Sequence, residues 1–271
     1  MITLNTPIAE HTDPTAIEVS PLATLQHRLA QLSLNPPHCL WLSQTDSTNQ
    51  HLQRLPIALN ESVLVIADQQ HQGKGQAGRV WQSPQGNLYL SVCLPIKTPL
   101  QGRLALEVAL AILQIPLLSS LMGIGVKWPN DLYHQNAGEL HKFGGVLIEA
   151  KSAQQVIIGV GINLTAMQSY VHDQSVTDLS SLLHAPIKVP SLASQIYVAL
   201  VKAVQLFDQD SPMLPQRFTQ SDLMANQAVQ VTLPHQRLVI GRADGVAADG
   251  ALRVISSDGA QLIYSGQLRR I

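Results

Sequence analysis

A glycine loop constrains the fold more than any other feature of the sequence. Residues 69–81 read QQHQGKGQAGRVW and follow an apolar run at residues 63–67. The spacing G-x-G-x-x-G in this loop is typical of a dinucleotide-binding turn, which needs a helix that begins in the loop and an acidic residue about 20 positions further on. Pro84 and Gly86 would stop such a helix, and the first acidic residue after the loop is Glu107. We therefore expect the loop to join two strands, and a Rossmann oxidoreductase is set aside.

The glycines of this loop still require an explanation. Because glycine adopts positive φ readily, Gly73, Gly75 and Gly78 allow the backbone to approach a ligand closely and to turn several N–H groups toward one anion. Lys74 and Arg79 add positive charge to the same loop. The loop sequence thus predicts an anion-binding cradle, with a mobile hairpin loop as the alternative.

The apolar pattern along the chain predicts an α+β fold. Short apolar runs are predicted as strands, among them VLVIAD and NLYLSVCLPI on either side of the glycine loop, and amphipathic helices are predicted within residues 21–34 and 191–207. A long helix is predicted over residues 104–122, which Pro116 should kink or break. From about residue 225, short strands alternate with Gly and Asp turns. We expect a mixed, largely antiparallel sheet flanked by helices, followed by a small SH3-like β-barrel.

Composition narrows the functional classes. The formal net charge is −1 and charged residues make up 13% of the chain, so the sequence indicates no basic surface that would neutralise many phosphates of a nucleic acid. The two cysteines, Cys39 and Cys93, lack the C-x-x-C spacing of a metal or redox site. Residues 1–10 lack the pattern of a signal peptide, and the apolar stretch at 104–122 is predicted as a buried helix. These features predict a soluble cytoplasmic protein that binds neither DNA nor a membrane.

Four separated motifs point to one family. They are TDSTN at residues 45–49, the glycine loop at 69–81, KWPNDLY at 127–133 with KFGGVLIE at 142–149, and GVGINL at 159–164. Together they resemble the motifs of biotin protein ligases, most strongly between residues 39 and 163. The resemblance implies the class II synthetase-like fold of biotin and lipoate ligases, which agrees with the α+β pattern above.

The resemblance implies a two-step reaction. ATP activates biotin as biotinyl-5′-AMP, and a lysine of the biotin carboxyl carrier protein of acetyl-CoA carboxylase then takes up the biotin. Mg²⁺ is expected to accompany ATP, with its ligands unassigned; Asp131 and Lys127 either order the KWPND turn or help to place the ion. On this interpretation residues 1–20 form a flexible N-terminus, residues 21–224 the catalytic domain and residues 225–271 the small β domain.

The resemblance also assigns site residues. Biotin would contact the start of the TDSTN helix, one glutamine, the glycine loop and the KFGG strand: Ser47, Thr48, Asn49, Gln70, Gly73, Lys74, Gly75, Gln76, Lys142, Gly144 and Gly145. The adenylate would contact Lys74, Arg79, Trp81, Asn130, Lys142 and Asn163. Lys142 and Arg79 are the predicted catalytic residues, with Lys142 as a fixed cation between the biotin carboxylate and the α-phosphate.

Several of these residues also have a purely structural interpretation. Residues 47–49 are suited to cap a helix, Trp81 to fill a core after a turn, and Lys142 to begin a strand at the surface. A lysine among apolar strand residues is costly unless it is paired, which favours the catalytic interpretation of Lys142.

Two departures from the family pattern lead to predictions. Gln76 stands where a basic residue is usual, so one positive charge is missing from the adenylate cover, and we expect looser retention of the adenylate. The segment before TDSTN contains one short predicted helix and leaves no room for a DNA-binding domain. We therefore expect a ligase without repressor function.

Other assignments stay open at the level of sequence. A lipoate or octanoate ligase or transferase shares the fold, and a non-catalytic biotin-binding module is a further alternative. Arg269 and Arg270 either reach the ATP phosphates or are solvated. An exposed edge strand would be suited to pair with the carrier domain or with a second copy of the chain, so a homodimer is an open prediction.

Overall fold

The protein is described by a computed structural model that covers residues 20–32, 38–166 and 175–271. The predicted flexible N-terminus lies outside these residues, apart from Ser20. Two sheets organise the chain, one of seven strands and one of five strands.

The larger sheet lies between two layers of helices. Its strands are β1 (His38–Thr45), β2 (Val63–Gln70), β3 (Leu88–Pro95), β4 (Ile124–Lys127), β5 (Asp131–Asn136), β6 (Glu139–Ser152) and β7 (Gln155–Ile162), in the spatial order β1-β2-β3-β7-β6-β5-β4. β1 and β2 are parallel, and the other neighbouring strands are antiparallel. The predicted mixed, largely antiparallel sheet is confirmed, and β2 and β3 pair directly across the glycine loop.

The helices are α1 (Pro21–Ala30), α2 (Thr48–Arg54), α3 (Arg103–Leu113), α4 (Leu179–Leu183), α5 (Val189–Asp208) and α6 (Leu214–Thr219). Residues of α1, α3 and α5 form the main core together with alternate strand residues such as Leu64 and Ile66. Val63 and Val65 point to the other face, where they pack against Leu52 of α2. This period-2 alternation explains why the central strands are apolar on both faces.

Pro116 decides where the long predicted helix ends. α3 stops at Leu113, and the chain continues in turns through the rest of the apolar stretch, so the prediction of one helix to residue 122 is wrong. Proline lacks an N–H group and clashes with the preceding turn, which ends a helix just before it. Of the two effects predicted for Pro116, a kink or a break, the structure therefore shows a break of the helix.

Helix α5 is long and apolar enough to cross a membrane, judged by length and composition, among the residues that the structure covers. Half of its most apolar window is buried inside the protein. Leu192, Ile196 and Leu200 on its inner side belong to the main core, which is the usual situation of a core helix.

The C-terminal sheet consists of β8 (Ala228–Thr232), β9 (Leu238–Val246), β10 (Leu252–Ser256), β11 (Gly259–Ile263) and β12 (Gln267–Arg270), in the antiparallel order β11-β10-β9-β8-β12. The predicted small β domain is confirmed as an element of the fold, while its exact boundary stays a prediction. Trp128, between β4 and β5, donates an indole hydrogen bond to the carbonyl of Gly250 at 3.0 Å, which fastens this sheet to the larger one.

A buried ion pair holds α6 against α3. Glu107 is fully buried, and both of its carboxylate oxygens accept hydrogen bonds from the Arg217 guanidinium, at 2.5 and 2.8 Å. A buried carboxylate is tolerated only when it is paired in this way.

We predict that Arg217→Met lowers the free energy of unfolding by about 3–5 kcal/mol, because it leaves the Glu107 carboxylate buried and unpaired. The control is Arg253→Met, which removes an ion pair with Asp244 that is 47% and 33% exposed and should cost less than about 1 kcal/mol. Chemical denaturation measures both. Similar small losses in the two variants would contradict the account.

Candidate active site

A cavity of about 820 Å³ opens beneath the glycine loop. Its wall is built from the start of α2, the glycine loop, the start of β5, strands β6 and β7, and β12 in the C-terminal sheet. Most of the predicted site residues lie on this wall: Ser47, Thr48, Asn49, Gln70, Lys74, Gly75, Gln76, Arg79, Trp81, Asn130, Lys142, Gly145 and Asn163. Two predicted residues, Gly73 and Gly144, do not.

One end of the cavity is formed by polar side chains from α2 and β2. The parallel register places Gln70 beside Thr45, just before α2 begins. The side-chain oxygen of Gln70 accepts a hydrogen bond from the Thr48 backbone N–H at 2.8 Å and lies 3.1 Å from the Thr48 hydroxyl. Ser47 is the N-cap residue of α2 but makes no side-chain capping hydrogen bond, so capping does not account for its hydroxyl.

The glycine loop folds back on itself. The N–H groups of Gly75, Arg79 and Trp81 donate to the loop carbonyls of Arg79, Gln76 and Gly73, at 2.7, 3.2 and 2.9 Å. These three N–H groups are therefore not directed toward an anion in this conformation, and the anion-binding cradle as a whole stays a prediction. Of the three glycines only Gly78 has positive φ, and Ala77 shares the left-handed region.

Gly73 is required by packing. A Cβ atom there would lie 2.4 Å from the Trp81 carbonyl and 2.5 Å from the Ser83 hydroxyl. Gly73 instead lines a second cavity of about 740 Å³, which shares Gln70 and Trp81 with the first. The assignment of Gly73 to biotin stays a prediction.

Trp81 forms a side wall of the main cavity. Its indole packs so closely on Gly161 that a Cβ atom there would lie 2.7 Å from the ring. The indole N–H is buried without a hydrogen-bond partner, and the Lys142 ammonium lies 5.1 Å from the ring centroid. Trp81 therefore lines the site as well as packing against the sheet.

Lys142 lies at the centre of the site. Its ammonium pairs with the Asp131 carboxylate at 2.7 Å, and both side chains are only 13% exposed. Gly145 lies between these residues and Trp81, and a Cβ atom there would be 3.3–3.5 Å from all three. The pairing that the sequence required for a buried lysine is thus supplied by Asp131.

The two asparagines of the site use their amides differently. The Asn130 amide N–H donates to the Val146 carbonyl, while its side-chain oxygen is buried and has no hydrogen-bond partner. The Asn163 amide donates to the Thr177 carbonyl at 3.1 Å. Asn130 therefore keeps one buried acceptor unsatisfied on the cavity wall, which is costly unless a ligand completes it.

Positive charge is concentrated at the cavity. Lys74, Arg79, Lys142 and Arg269 lie on the wall, and among the residues that the structure describes Asp131 is the one acidic residue there. Burial lowers the pKa of nearby Lys127, with smaller contributions from Lys142, Arg269 and Arg79, while Asp131 opposes the shift. Such a site favours an anion, since cations in a partly dry cavity interact strongly with negative charge.

The C-terminal sheet contributes to the wall through Gln267 and Arg269, whereas Arg270 does not reach it. The sequence left open whether Arg269 and Arg270 reach the site or are solvated, and it contained no signal for Gln267. In β12 these two residues alternate with buried Leu268, so they share one face of the strand.

Within the part of the chain that the structure describes, neither a thiolate nor a metal-binding cluster is present. Burial raises the pKa of Cys39 and of Cys93 to about 11, so neither thiol is ionised at neutral pH. Within residues 20–32, 38–166 and 175–271, no group of three or more His, Cys, Asp or Glu side chains is placed to hold a metal ion. The arrangement is suited to hold and neutralise an anionic substrate rather than to attack it.

Comparisons with known proteins agree with this site. A model of the Biotin/lipoate A/B protein ligase family matches residues 41–163. The chain is 32% identical over 228 residues to the Bifunctional ligase/repressor BirA of Escherichia coli (strain K12), a match that covers 79% of this chain and 68% of the relative. It is 30% identical over 223 residues to the Biotin--[acetyl-CoA-carboxylase] ligase of Mycobacterium tuberculosis, covering 78% of this chain and 80% of the relative.

Solved structures show the same fold. The biotin protein ligase from Aquifex aeolicus in complex with biotin and ATP superposes with a TM-score of 0.74 at 24% identity, covering 86% of this chain and 99% of that one. The biotin protein ligase from Leishmania major in complex with biotinyl-5-AMP gives a TM-score of 0.61 at 25% identity, covering 85% and 100%. Fold and cavity together define a protein ligase of the biotin/lipoate class. Within that class, the identity and coverage of its relatives show that the chain belongs to the biotin protein ligase family.

We predict that Gly161→Ala displaces Trp81 into the cavity, because the new Cβ would overlap the indole ring. Quenching of tryptophan fluorescence by acrylamide should increase several-fold for the displaced ring. Gly102→Ala is the control, since a Cβ there meets no atom within 4 Å. Unchanged quenching in Gly161→Ala would show that Trp81 does not pack as described.

Proposed function

We propose that the protein activates biotin with ATP and transfers it to a lysine of a carrier domain. The carboxylate of biotin attacks the α-phosphorus of ATP, pyrophosphate leaves, and biotinyl-5′-AMP is formed. The carrier lysine then attacks the carbonyl carbon of this mixed anhydride, and AMP leaves. The observation that carries the proposal is the nearly buried Lys142 ammonium, which lies in a cavity where, among the described residues, four cationic side chains face one carboxylate.

The first step brings two anions together, and this decides what the protein must supply. A carboxylate and a triphosphate repel each other, so the transition state needs fixed cations in a site that excludes water. Lys142 is suited to lie between the carboxylate and the α-phosphate, with Arg79 at the phosphates. When these anions enter, they compete with Asp131 for the Lys142 ammonium.

The positions of the other residues support a substrate that lies along the cavity. Ser47, Thr48 and Asn49 with Gln70 form a polar end suited to the ureido ring of biotin. Trp81 at the side is suited to cover adenine, and Asn163 to contact the ribose. The loop residues Lys74, Gly75 and Gln76 would cover the valeryl chain.

We also propose that Mg²⁺ accompanies the ATP phosphates. Mg²⁺ is usually held by one or two protein oxygens together with phosphates and water. The Asn130 side-chain oxygen is buried and unpartnered, and the Asp131 carboxylate is next to it in sequence and on the same wall, so these oxygens fit the role. The ion would offset phosphate charge, while Lys142 and Arg79 orient the reacting groups.

The carrier is proposed from the names of the relatives. One relative is named for biotinylation of acetyl-CoA carboxylase, which supports the biotin carboxyl carrier protein as the acceptor. Another is named a repressor as well as a ligase, but the net charge of −1 lends no support to DNA binding here. The homodimer and the cytoplasmic location stay predictions. The relatives and structures favour biotin over lipoate.

We predict that Lys142→Met lowers pyrophosphate release from biotin and Mg-ATP by at least about 100-fold, because a fixed cation at the developing charge is lost. Lys142→Arg keeps the pair with Asp131 and shows whether the fold tolerates the position. Lys202→Met, at an exposed site on α5, is the matched control and should match the wild type. A Lys142→Met rate close to that of the wild type would overturn the proposed role.

Gln76 leads to a second prediction for this reaction. Its side chain lies on the cavity wall with Lys74 and Arg79, where an arginine would add a further cation over the adenylate. Gln76→Arg should slow the release of biotinyl-5′-AMP several-fold in a single-turnover assay without carrier. Gln85→Arg adds the same charge away from the main cavity and should leave release unchanged. Equal release rates in Gln76→Arg and wild type would refute the hypothesis.

A further inference from the structure

Glu149 closes the KFGGVLIE motif but has no role in the reaction described so far. It lies on β6 outside the wall of the main cavity. Its carboxylate accepts a hydrogen bond from the Asn49 side-chain amide at 2.7 Å. Asn49 is on the cavity wall and only 3% exposed, so Glu149 touches the site through this one side chain.

Strand β6 holds α2 as well as Lys142. Gly145 and Leu147 line the cavity, and by the two-residue alternation Glu149 and Lys151 continue the same face toward α2. The Lys151 ammonium donates to the carbonyls of Leu52 and Leu55, both at 2.8 Å, at the end of α2. The helix that carries the polar end of the cavity is therefore fixed by the strand that carries the central cation.

Glu149 sets the direction of a chain of hydrogen bonds. An ionised carboxylate can only accept, so the Asn49 amide must turn its NH₂ group toward Glu149 and its oxygen away. That oxygen lies 2.6 Å from the hydroxyl of Ser91, which is fully buried. An amide oxygen also can only accept, so the single proton of Ser91 is directed to Asn49.

The same chain of hydrogen bonds also determines where the Thr48 hydroxyl directs its proton. The hydroxyls of Ser91 and Thr48 are 2.6 Å apart. Because the single Ser91 proton is used on Asn49, the Thr48 proton must be directed to Ser91 rather than to the Gln70 side-chain oxygen, which lies 3.1 Å away. The Thr48 oxygen therefore keeps its lone pairs free of Ser91. Gly159 makes room for this arrangement, because a Cβ there would lie 2.3 Å from the Asn49 side-chain oxygen.

We propose that Glu149 is a positioning residue for substrate choice: through Asn49 and Ser91 it makes the floor of the polar end present hydrogen-bond acceptors. The acceptors are the side-chain oxygens of Asn49 and Thr48. The ureido ring of biotin carries two N–H donors that match them, whereas the dithiolane ring of lipoate carries none. The inference rests on the proposed function, since it assigns the recognition of the biotin ring within the same site.

The test is Glu149→Gln, an isosteric change that can donate as well as accept. The Asn49 amide then loses its fixed orientation, and the floor presents donors part of the time. The KM for biotin in pyrophosphate release should rise about tenfold or more, as when a hydrogen bond to a charged group is lost. The KM for ATP and kcat should stay within about twofold of the wild type, because Lys142 and Trp81 are untouched.

Gln53→Ala is the matched control. It removes another hydrogen bond between α2 and β6, from the Gln53 amide to the Ala150 carbonyl at 3.0 Å, without touching Asn49. Its biotin KM should equal that of the wild type. Equal increases in Glu149→Gln and Gln53→Ala would show that Glu149 only docks the helix, which overturns the proposal.

A double variant that restores the direction of the hydrogen bonds gives the decisive test. In Asn49→Asp/Glu149→Gln the amide and the carboxylate exchange places. Residue 49 then accepts hydrogen bonds both from the Ser91 hydroxyl and from the new amide at position 149. The double variant should have a lower biotin KM than either single variant, and additive losses would contradict the proposal. Wild-type enzyme that releases no pyrophosphate with biotin and Mg-ATP refutes the proposed function itself, whereas an active wild type with an unchanged Glu149→Gln refutes only this inference.

Discussion

The Lys142–Asp131 ion pair is the interaction on which the rest of the site depends. A lysine ammonium buried among apolar strands requires a partner, and the pairing of β5 with β6 supplies one at 2.7 Å. The register places Asp131 opposite Gly145, whose missing side chain leaves the space in which Asp131, Lys142 and Trp81 meet. In the free protein Asp131 keeps the Lys142 ammonium in place. On the proposed mechanism, the incoming carboxylate and phosphate then take over from Asp131 as the anions next to it.

The sheet brings the remaining parts of the reaction to this pair. Strand β6 carries Lys142 at one end and holds α2 through Glu149 and Lys151 further along, so the charge centre and the polar end of the cavity share one rigid element. The C-terminal sheet, fastened through Trp128 and Gly250, extends Arg269 to the same cavity. The small β domain is thus part of the site.

Much of this could be predicted from the sequence, for identifiable reasons. The short apolar runs on either side of the glycine loop predicted a strand-loop-strand unit. Pro84 and Gly86 after the loop, together with the absence of an acidic residue before Glu107, excluded a dinucleotide fold. Four separated motifs located most residues of the cavity wall. Contacts between distant parts of the chain were harder to predict. The register of β5 and β6 determines that Asp131 is the acid that pairs with Lys142, and the docking of the second sheet brings Gln267 to the cavity. Neither feature leaves a local pattern in the sequence.

The glycine loop shows the limit of local reasoning. Its sequence predicted glycines with positive φ, yet of Gly73, Gly75 and Gly78 only Gly78 has it. The N–H groups of Gly75, Arg79 and Trp81 bond within the loop, and Gly73 is required by contacts with Trp81 and Ser83. A glycine needed for packing and a glycine needed for ligand approach look alike in sequence, because both are identified only by what lies next to the missing Cβ.

The most direct test of the central claim is the mass of a biotin carboxyl carrier domain after incubation with the protein, biotin and Mg-ATP. The account predicts that the carrier gains the mass of one biotin on a single lysine, and that omission of ATP or replacement of biotin by lipoate abolishes the gain. A carrier whose mass stays unchanged under the complete conditions, or that gains lipoate in preference to biotin, would contradict it.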